Sequence, residues 1–377
     1  MKEMLVTMRN AINRFLYTKI LKPIFFQINP ETVHDSMIAL GKLLGSNFVT
    51  RSMTAAAFTY SHRALEQTIL GLRFKNPIGL AAGFDKNAVL TKILPSVGFG
   101  FAEVGSITGR ACAGNPRPRL WRLQQSHGLV VYYGLKNDGC EKIVKTLNGR
   151  KFTIPLGISI AKTNCPQTVE TTAGIADYCQ SFATMESRAD YLTINISCPN
   201  AFGGRPFTQA DDLDRLLTAL ETIPCAKPIF LKLPPDLTDT ELDSLITVCD
   251  HHRVSGFICT NLTKDRNNET IKKYLRDGDL PAVGGISGQP IQALSTSVIK
   301  NIYRKTKGQY IIIGCGGVFS AADAYAKIKA GASLIQLITG MIFEGPQVIS
   351  EINQGLVKLL RHDGYQNIAQ AVGADYR

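Results

Sequence analysis

Residues 191–200 read YLTINISCPN, and the interpretation of this stretch decides the fold. Its first half is β-branched and apolar like a buried strand, then breaks off into three polar side chains, a thiol and a proline. Parallel α/β folds gather their reactive groups at the carboxyl ends of strands, and Asn195, Ser197, Cys198 and Asn200 crowd that end here. A thiol so placed is a candidate proton acceptor or nucleophile, and each asparagine can offer a donor and an acceptor to a planar polar ring.

Outward from 191–197, seven further runs read as strands: 78–82, 101–106, 154–160, 228–233, 256–261, 310–315 and 334–339. Segments able to hold helices alternate with them, for example 86–97, 208–222, 239–252, 290–306 and 320–330. Eight such units without a break in composition predict an α/β fold, a (β/α)8 TIM barrel. The doubly wound alternative is weaker because no GxGxxG opens the first unit. A hairpin is expected at 68–74, and the long connections 107–133 and 262–289 are expected as insertions over the catalytic face.

Upstream, residues 4–21 place Leu5, Met8, Ile12, Phe15, Leu16 and Ile20 at helical spacing, with Arg9, Arg14, Lys19 and Lys22 between or beside them. Pro23 is expected to end that helix. Asn29-Pro30-Glu31 reads as an N-cap with proline in the first turn, opening a second helix striped by Val33, Met37, Leu40 and Leu44. The chain thus divides into a short N-terminal amphipathic helical extension, 1–50, and a barrel, 51–377. The extension reads either as a cap on the barrel or as an interfacial anchor whose basic residues meet anionic lipid, and both can hold together.

Composition narrows the class. With 45% apolar and 19% charged residues in 377, the chain suits a globular enzyme with a large core. Nine cysteines, odd in number and without a CxxC pair, argue against a disulfide framework or a structural zinc site and predict reduced thiols. The net charge of +12 favours an anionic partner: a phosphate-bearing cofactor, an acidic substrate, nucleic acid or an anionic membrane surface. No stretch is apolar for long enough to span a bilayer, and Arg9, Arg14 and Lys19 interrupt any signal-peptide core.

The expected strand ends supply a list of site residues. They are Ala82, Gly83 and Lys86 after strand one, Ser106 after two, Asn195 to Asn200 after four, Lys232 in five and Thr260-Asn261 after six. Strand seven adds Gly316-Gly317 and strand eight Thr339-Gly340. Glycines after strands seven and eight match the place where barrels bind phosphate through backbone N–H groups. Lys232 lies in an apolar strand, where an interior ammonium needs an anionic or electron-rich partner to offset its desolvation. Residues 199–207, PNAFGGRPF, read as a lid. His127, His251 and His252 lack metal-ligand spacing, and no metal site is expected.

Together AAGFDK (81–86), GNPRPRLWRL (114–123), INISCPN (194–200), FLKLPPDL (230–237), CTN (259–261), GGISGQP (284–290), IIGCGGV (312–318) and LITGMIFEGP (337–346) resemble the dihydroorotate dehydrogenase family. The helical extension resembles that of its membrane-associated, quinone-using class. The resemblance implies FMN held by Ala82, Gly83, Ser106, Asn195, Lys232, Thr260, Gly288, Gly316, Gly317, Thr339 and Gly340. It implies a dihydropyrimidine substrate held by Lys86, Asn195, Asn200 and Asn261, and Cys198 as the base that removes the C5 proton. It also implies dihydroorotate oxidation in pyrimidine biosynthesis, a membrane quinone as acceptor and a peripheral place on the cytoplasmic face of the cell membrane; no nucleic-acid partner is expected, since the sequence shows no appended basic RNA-binding domain.

Four positions depart from the family pattern. Cysteine at 198 is typical of the soluble class, where the quinone class usually carries serine. Val131 and Leu262 stand where polar substrate contacts are usual, and Ser159 replaces an asparagine that usually touches FMN. These departures keep two alternatives open: a flavin barrel acting on dihydrouracil or dihydrouridine, and a noncatalytic flavin- or phosphate-binding barrel.

Overall fold

The computed structural model describes residues 2–276, 278 and 280–377; Met1, and Asp277 and Asp279 of the second expected insertion, lie outside the described residues. Eight strands form: β1 (Ile78–Leu80), β2 (Phe101–Ile107), β3 (Leu156–Ile160), β4 (Tyr191–Asn195), β5 (Ile229–Leu233), β6 (Gly256–Cys259), β7 (Ile311–Cys315) and β8 (Leu334–Leu337). Each pairs in parallel with the next, and β8 pairs with β1, so the sheet closes into the expected TIM barrel. β4 stops two residues short of its expected end because the Asn195 Oδ1 accepts from the Ser197 amide and hydroxyl, which turns the chain out of the ladder. β8 is short because Thr339 already opens a helix.

Period-two alternation fills the barrel in layers. Phe101, Tyr191, Phe230, Ile258, Ile313 and Leu334 pack its lower interior. Glycines opposite the aromatic rings make this possible, since a Cβ at Gly157 would lie 2.1 Å from the Tyr191 ring and one at Gly79 would lie 2.4 Å from Phe101. Above them sits a polar layer in which Glu103 accepts from Thr193 Oγ1 (2.9 Å) and Gln336 Nε2 (3.1 Å) and faces Lys232 Nζ at 4.0 Å. The barrel interior therefore grades from aromatic at the floor to polar at the mouth.

The 68–74 hairpin forms as strands Gln67–Ile69 and Leu72–Phe74, and Phe74 seals the floor. The two insertions meet in one antiparallel sheet, where Gly128–Val131 pairs with both Leu120–Leu123 and Gly285–Gly288. Helix is absent over most of the expected 86–97, leaving only Leu94–Val97. Residues 86–93 instead wrap around the buried Asp85 carboxylate, which accepts from the amides of Val89 and Leu90.

The extension also departs from expectation. Helix α1 (Lys2–Leu16) runs on through a π-helical turn, Tyr17–Leu21, into a helical segment, Lys22–Gln27, so Pro23 does not end it. Pro23 falls in the first turn of that last segment, where its missing N–H is best tolerated. Helix α2 (Pro30–Leu44) begins as expected, with Asn29 Oδ1 accepting from the Glu31 and Thr32 amides. A third helix, α3 (Phe48–Phe58), follows in addition to the two expected.

α1 is amphipathic in the reverse of the usual sense. Its polar residues face the barrel: Arg9 donates to the Ala56 and Thr59 carbonyls and to Ser350 Oγ, Asn10 is buried, and Arg14 pairs with Glu344 and Glu351. Its apolar residues face outward, with Met4, Met8, Ile12 and Phe15 more than half exposed. Fifteen of the nineteen exposed large apolar residues among those described lie within residues 4–53. Among the described residues no helix is long and apolar enough to cross a membrane.

Candidate active site

A cleft with a cavity volume of about 200 Å³ opens at the carboxyl ends of the strands. Of the residues singled out from the sequence, Ala82, Gly83, Lys86, Ser106, Asn195, Cys198, Asn200, Lys232, Thr260, Asn261, Gly288, Gly316, Gly317, Thr339 and Gly340 line it, whereas Ser197 is fully buried behind the wall against Asn195 and Asn261. Val131 and Leu262 line it as well, whereas Ser159 lies behind the wall and shares a 2.7 Å hydrogen bond with Ser106 Oγ. Phe84, beside Gly83 in the first strand-end loop, lines it too, and so do His34, Tyr133, Lys136 and Gln336, which sequence reasoning did not single out. His34 comes from α2, so the extension forms one wall of the cleft.

The amides are pre-oriented by one another. Asn195 Nδ2 donates to Ser106 Oγ (2.8 Å), while Asn261 Nδ2 donates to Ser197 Oγ (2.9 Å) and Asn195 Oδ1 (3.3 Å). Asn200 Nδ2 donates to the Val131 carbonyl (2.8 Å), and its Oδ1 is buried without a protein partner. The backbone of Val131 thus fixes an amide although its side chain offers no polar contact.

Cys198 is half-buried at the base of the 199–207 segment. Burial pushes its thiol up, while the Asn200 amide and the Lys264 and Lys162 ammonium groups pull it partly back. The Asn200 amide, two residues on, is the strongest of these; the lysines sit after other strands, and only the fold brings their charge near the thiol. Lys162, itself buried, donates to the carbonyls of Phe202 (2.7 Å) and Thr168 (3.0 Å) and so ties the 199–207 segment down over the site. Asn164 Oδ1 also accepts from the Phe202 amide at 2.7 Å.

At the other end, Lys86 Nζ sits 4.1 Å from the Tyr133 ring centroid and 3.4 Å from His34 Nε2. Burial, and then the Lys136 charge, lower this ammonium to about 7. Burial and the Lys86 charge hold His34 neutral, down to about 4. Glu31 in α2 accepts from buried Arg119 at 2.8 Å, with Arg117 at 3.0 Å and Lys136 at 3.7 Å. Burial opposes its ionisation, but the two guanidinium groups outweigh that and bring it to about 2. This knot seats the extension on the barrel at the edge of the cleft.

Three features fit a phosphorylated flavin. Lys232 is 4% exposed and faces the cleft, and its nearest carboxylate oxygen is 4.0 Å away, so an electron-rich ring edge would complete its partners. Gln336 Oε1 is buried and unpartnered beside it. The glycines form a cradle that side chains would fill: a Cβ at Gly340 would lie 1.9 Å from the Val318 carbonyl, and one at Gly317 2.3 Å from Gln292 Cβ.

Comparison with known proteins gives a consistent result. The family model "Dihydroorotate dehydrogenase" matches residues 64–360. The chain is 39% identical to the dihydroorotate dehydrogenase (quinone) of Gloeobacter violaceus, covering 95% of this chain and 99% of that protein. It is 36% identical to the protein of the same name from Acaryochloris marina, covering 95% and 99%. A solved structure of DHODH from Eimeria tenella in complex with ferulenol superposes with a TM-score of 0.82 at 31% identity, covering 93% of this chain and 96% of that one.

Proposed function

This chain belongs to the dihydroorotate dehydrogenase family, and from that premise we propose how its cleft performs the oxidation of dihydroorotate to orotate with a quinone as electron acceptor. The single observation that carries the residue assignment is the convergence of Cys198, the linked amides of Asn195 and Asn261, the Asn200 amide held by the Val131 carbonyl, and two lysines on one cleft, bordered by a glycine cradle. FMN is the assigned cofactor, held by Ala82, Gly83, Ser106, Asn195, Lys232, Thr260, Gly288, Gly316, Gly317, Thr339 and Gly340. When bound it supplies the acceptor for the hydride equivalent that leaves C6 of the substrate.

The remaining work falls to side chains. Lys86 pairs with the substrate carboxylate, an anion that restores the charge this buried ammonium otherwise tends to lose. Asn195, Asn200 and Asn261 hold the ring's amide edges, with the free Asn200 Oδ1 available to a ring N–H. Cys198, as thiolate, takes the proton from C5, and the 199–207 segment tied down by Lys162 excludes water from that transfer. Lys264 and Lys162 stabilise the thiolate through space.

The extension, 1–50, supports a peripheral place on a membrane. Its outward apolar face carries Lys19 and Lys42 among exposed Ile20, Leu21 and Leu43, a pattern suited to an anionic headgroup layer on the cytoplasmic face of the cell membrane. The deciding experiment is the absorbance spectrum of the purified protein followed by anaerobic titration with dihydroorotate. Bleaching of a flavin band by dihydroorotate is expected. A colourless protein, or bleaching by dihydrouracil alone, would overturn the assignment.

A further inference from the structure

Lys327 is one of the largest fully buried side chains of the molecule, and nothing in the reaction above uses it. It projects from helix α5 (Ala321–Lys329), and its Nζ donates to the Gln292 carbonyl (3.2 Å), Ser295 Oγ (3.0 Å) and Thr296 Oγ1 (2.9 Å), all in the first turns of α4 (Gln292–Lys305). These three acceptors are neutral. Among the described residues no carboxylate oxygen lies within ion-pairing distance of this ammonium, although a fully buried cation requires compensation by an anion. Burial lowers its proton affinity to about 7, against which the nearest acidic groups, Cys315, Asp323 and Cys259, pull only upward.

The acceptors of Lys327 are the same groups that back the glycine cradle. Ser295 Oγ donates to the Cys315 carbonyl at 2.7 Å, and a Cβ on Gly316 would lie 3.2 Å from the Ser295 Oγ itself. Gln292, whose carbonyl Lys327 holds, is the residue that a Cβ on Gly317 would strike at 2.3 Å. The ammonium therefore stands one residue behind the two glycines, bonded to the Ser295 and Gln292 groups that back them, and does not itself line the cleft.

Resting on the assignment of FMN to this cleft, we infer that Lys327 is the positioning residue of its phosphate subsite: it braces the Gly316–Gly317 turn from behind and contributes positive charge that the phosphate, and not the flavin ring, requires. Removing it leaves little backbone unsatisfied, since the Gln292 carbonyl also accepts from Thr296 Oγ1 at 2.9 Å. A neutral replacement is thus expected to fold and to lose the charge selectively.

The test compares FMN with riboflavin, which has the same ring system and no phosphate, by fluorescence titration of full-length protein freed of flavin, with thermal melts as a check on folding. In Lys327→Met and Lys327→Gln, Kd for FMN is expected to rise at least tenfold while Kd for riboflavin changes less than twofold. Equal losses for both flavins would mark a merely structural brace and overturn the inference, as would no loss for either. Wild-type protein that binds neither flavin would instead overturn the cofactor assignment itself. A measurement free of variants covers failure to fold: the wild-type ratio of riboflavin to FMN Kd should fall between pH 7 and 9 as Lys327 loses its proton. A ratio that is flat or rises over that range would overturn the inference.

Discussion

The Glu31 knot gives the most quantitative prediction. A fall of the Glu31 carboxylate from an ordinary 4.5 to about 2 corresponds to about 3 kcal/mol of stability in the charged state. The carboxylate is 7% exposed, but Arg117 beside it is 65% exposed, so solvent screening trims the figure to about 2 kcal/mol. Glu31→Gln removes the charge and leaves Arg119 buried without its counterion. The folded-state value lies below the unfolded one, so the contribution is complete above about pH 4.5 and fades as pH falls toward 2. In urea unfolding the variant should trail wild type by a constant gap from pH 8 to pH 5, and the gap should shrink by about 40% at pH 3.5. Because the knot joins α2 to the insertion sheet, quinone turnover should fall while reduction of the bound flavin by dihydroorotate in stopped flow stays near wild type. A gap missing at pH 7, or one that does not narrow in acid, would refute this account of the knot.

Three further substitutions test the site, and a truncation tests the extension. Cys198→Ala should slow flavin reduction by about 10²- to 10⁴-fold. In wild type the rate should climb with pH, because burial raises the thiol and only the thiolate serves as base; Lys162→Met should move that rise to higher pH, and an unmoved profile would remove Lys162 from the scheme. The substrate KM should worsen as pH passes above 7, where free Lys86 sheds its proton; Lys86→Met should raise KM and abolish the pH trend, and a trend that survives would place its origin elsewhere. Full-length protein should float with anionic liposomes and a chain lacking residues 1–45 should not, so equal flotation would deny the extension an anchoring role.

The barrel was legible because its strands are short, β-branched and closed by polar residues, so 191–197 and its seven counterparts needed only local pattern to be found. The segment 86–93 misled because its apolar spacing is helical, yet the buried Asp85 carboxylate captures two amides and holds a loop. Pro23 misled for a related reason, since a π-helical turn upstream absorbs the lost bond. Residues at strand ends announced themselves as site candidates. Those that reach the cleft from elsewhere did not, since His34 arrives from α2 and Tyr133 and Lys136 from the first insertion; Lys162, which ties down the 199–207 segment from outside the cleft, resembles any lysine near the end of an apolar run. Each becomes visible only through the tertiary contacts that bring it to the site.

The cleft has two chemical ends, and this bears on how Val131 and Leu262 can be tolerated. Phe84, Leu120, Leu129, Ile338 and Ile342 line the apolar portion, and α2 forms a wall of the cleft through His34. Asn195, Cys198, Asn200 and Asn261 line the polar portion under the 199–207 segment. Val131 and Leu262 add apolar surface to a cleft that already contains much of it, so they remove polar contacts without exposing new unsatisfied groups. The Val131 carbonyl still orients Asn200, and the Leu262 amide still donates to Asn261 Oδ1 at 2.9 Å. Main-chain groups therefore keep the amide array in place where side chains have lost polarity. On the proposed assignment, a charge-assisted pair between Lys86 and the substrate carboxylate would offset polar contacts given up at the ring, and Lys86→Met should therefore cost more in KM than restoring a polar side chain at Val131 or Leu262 recovers.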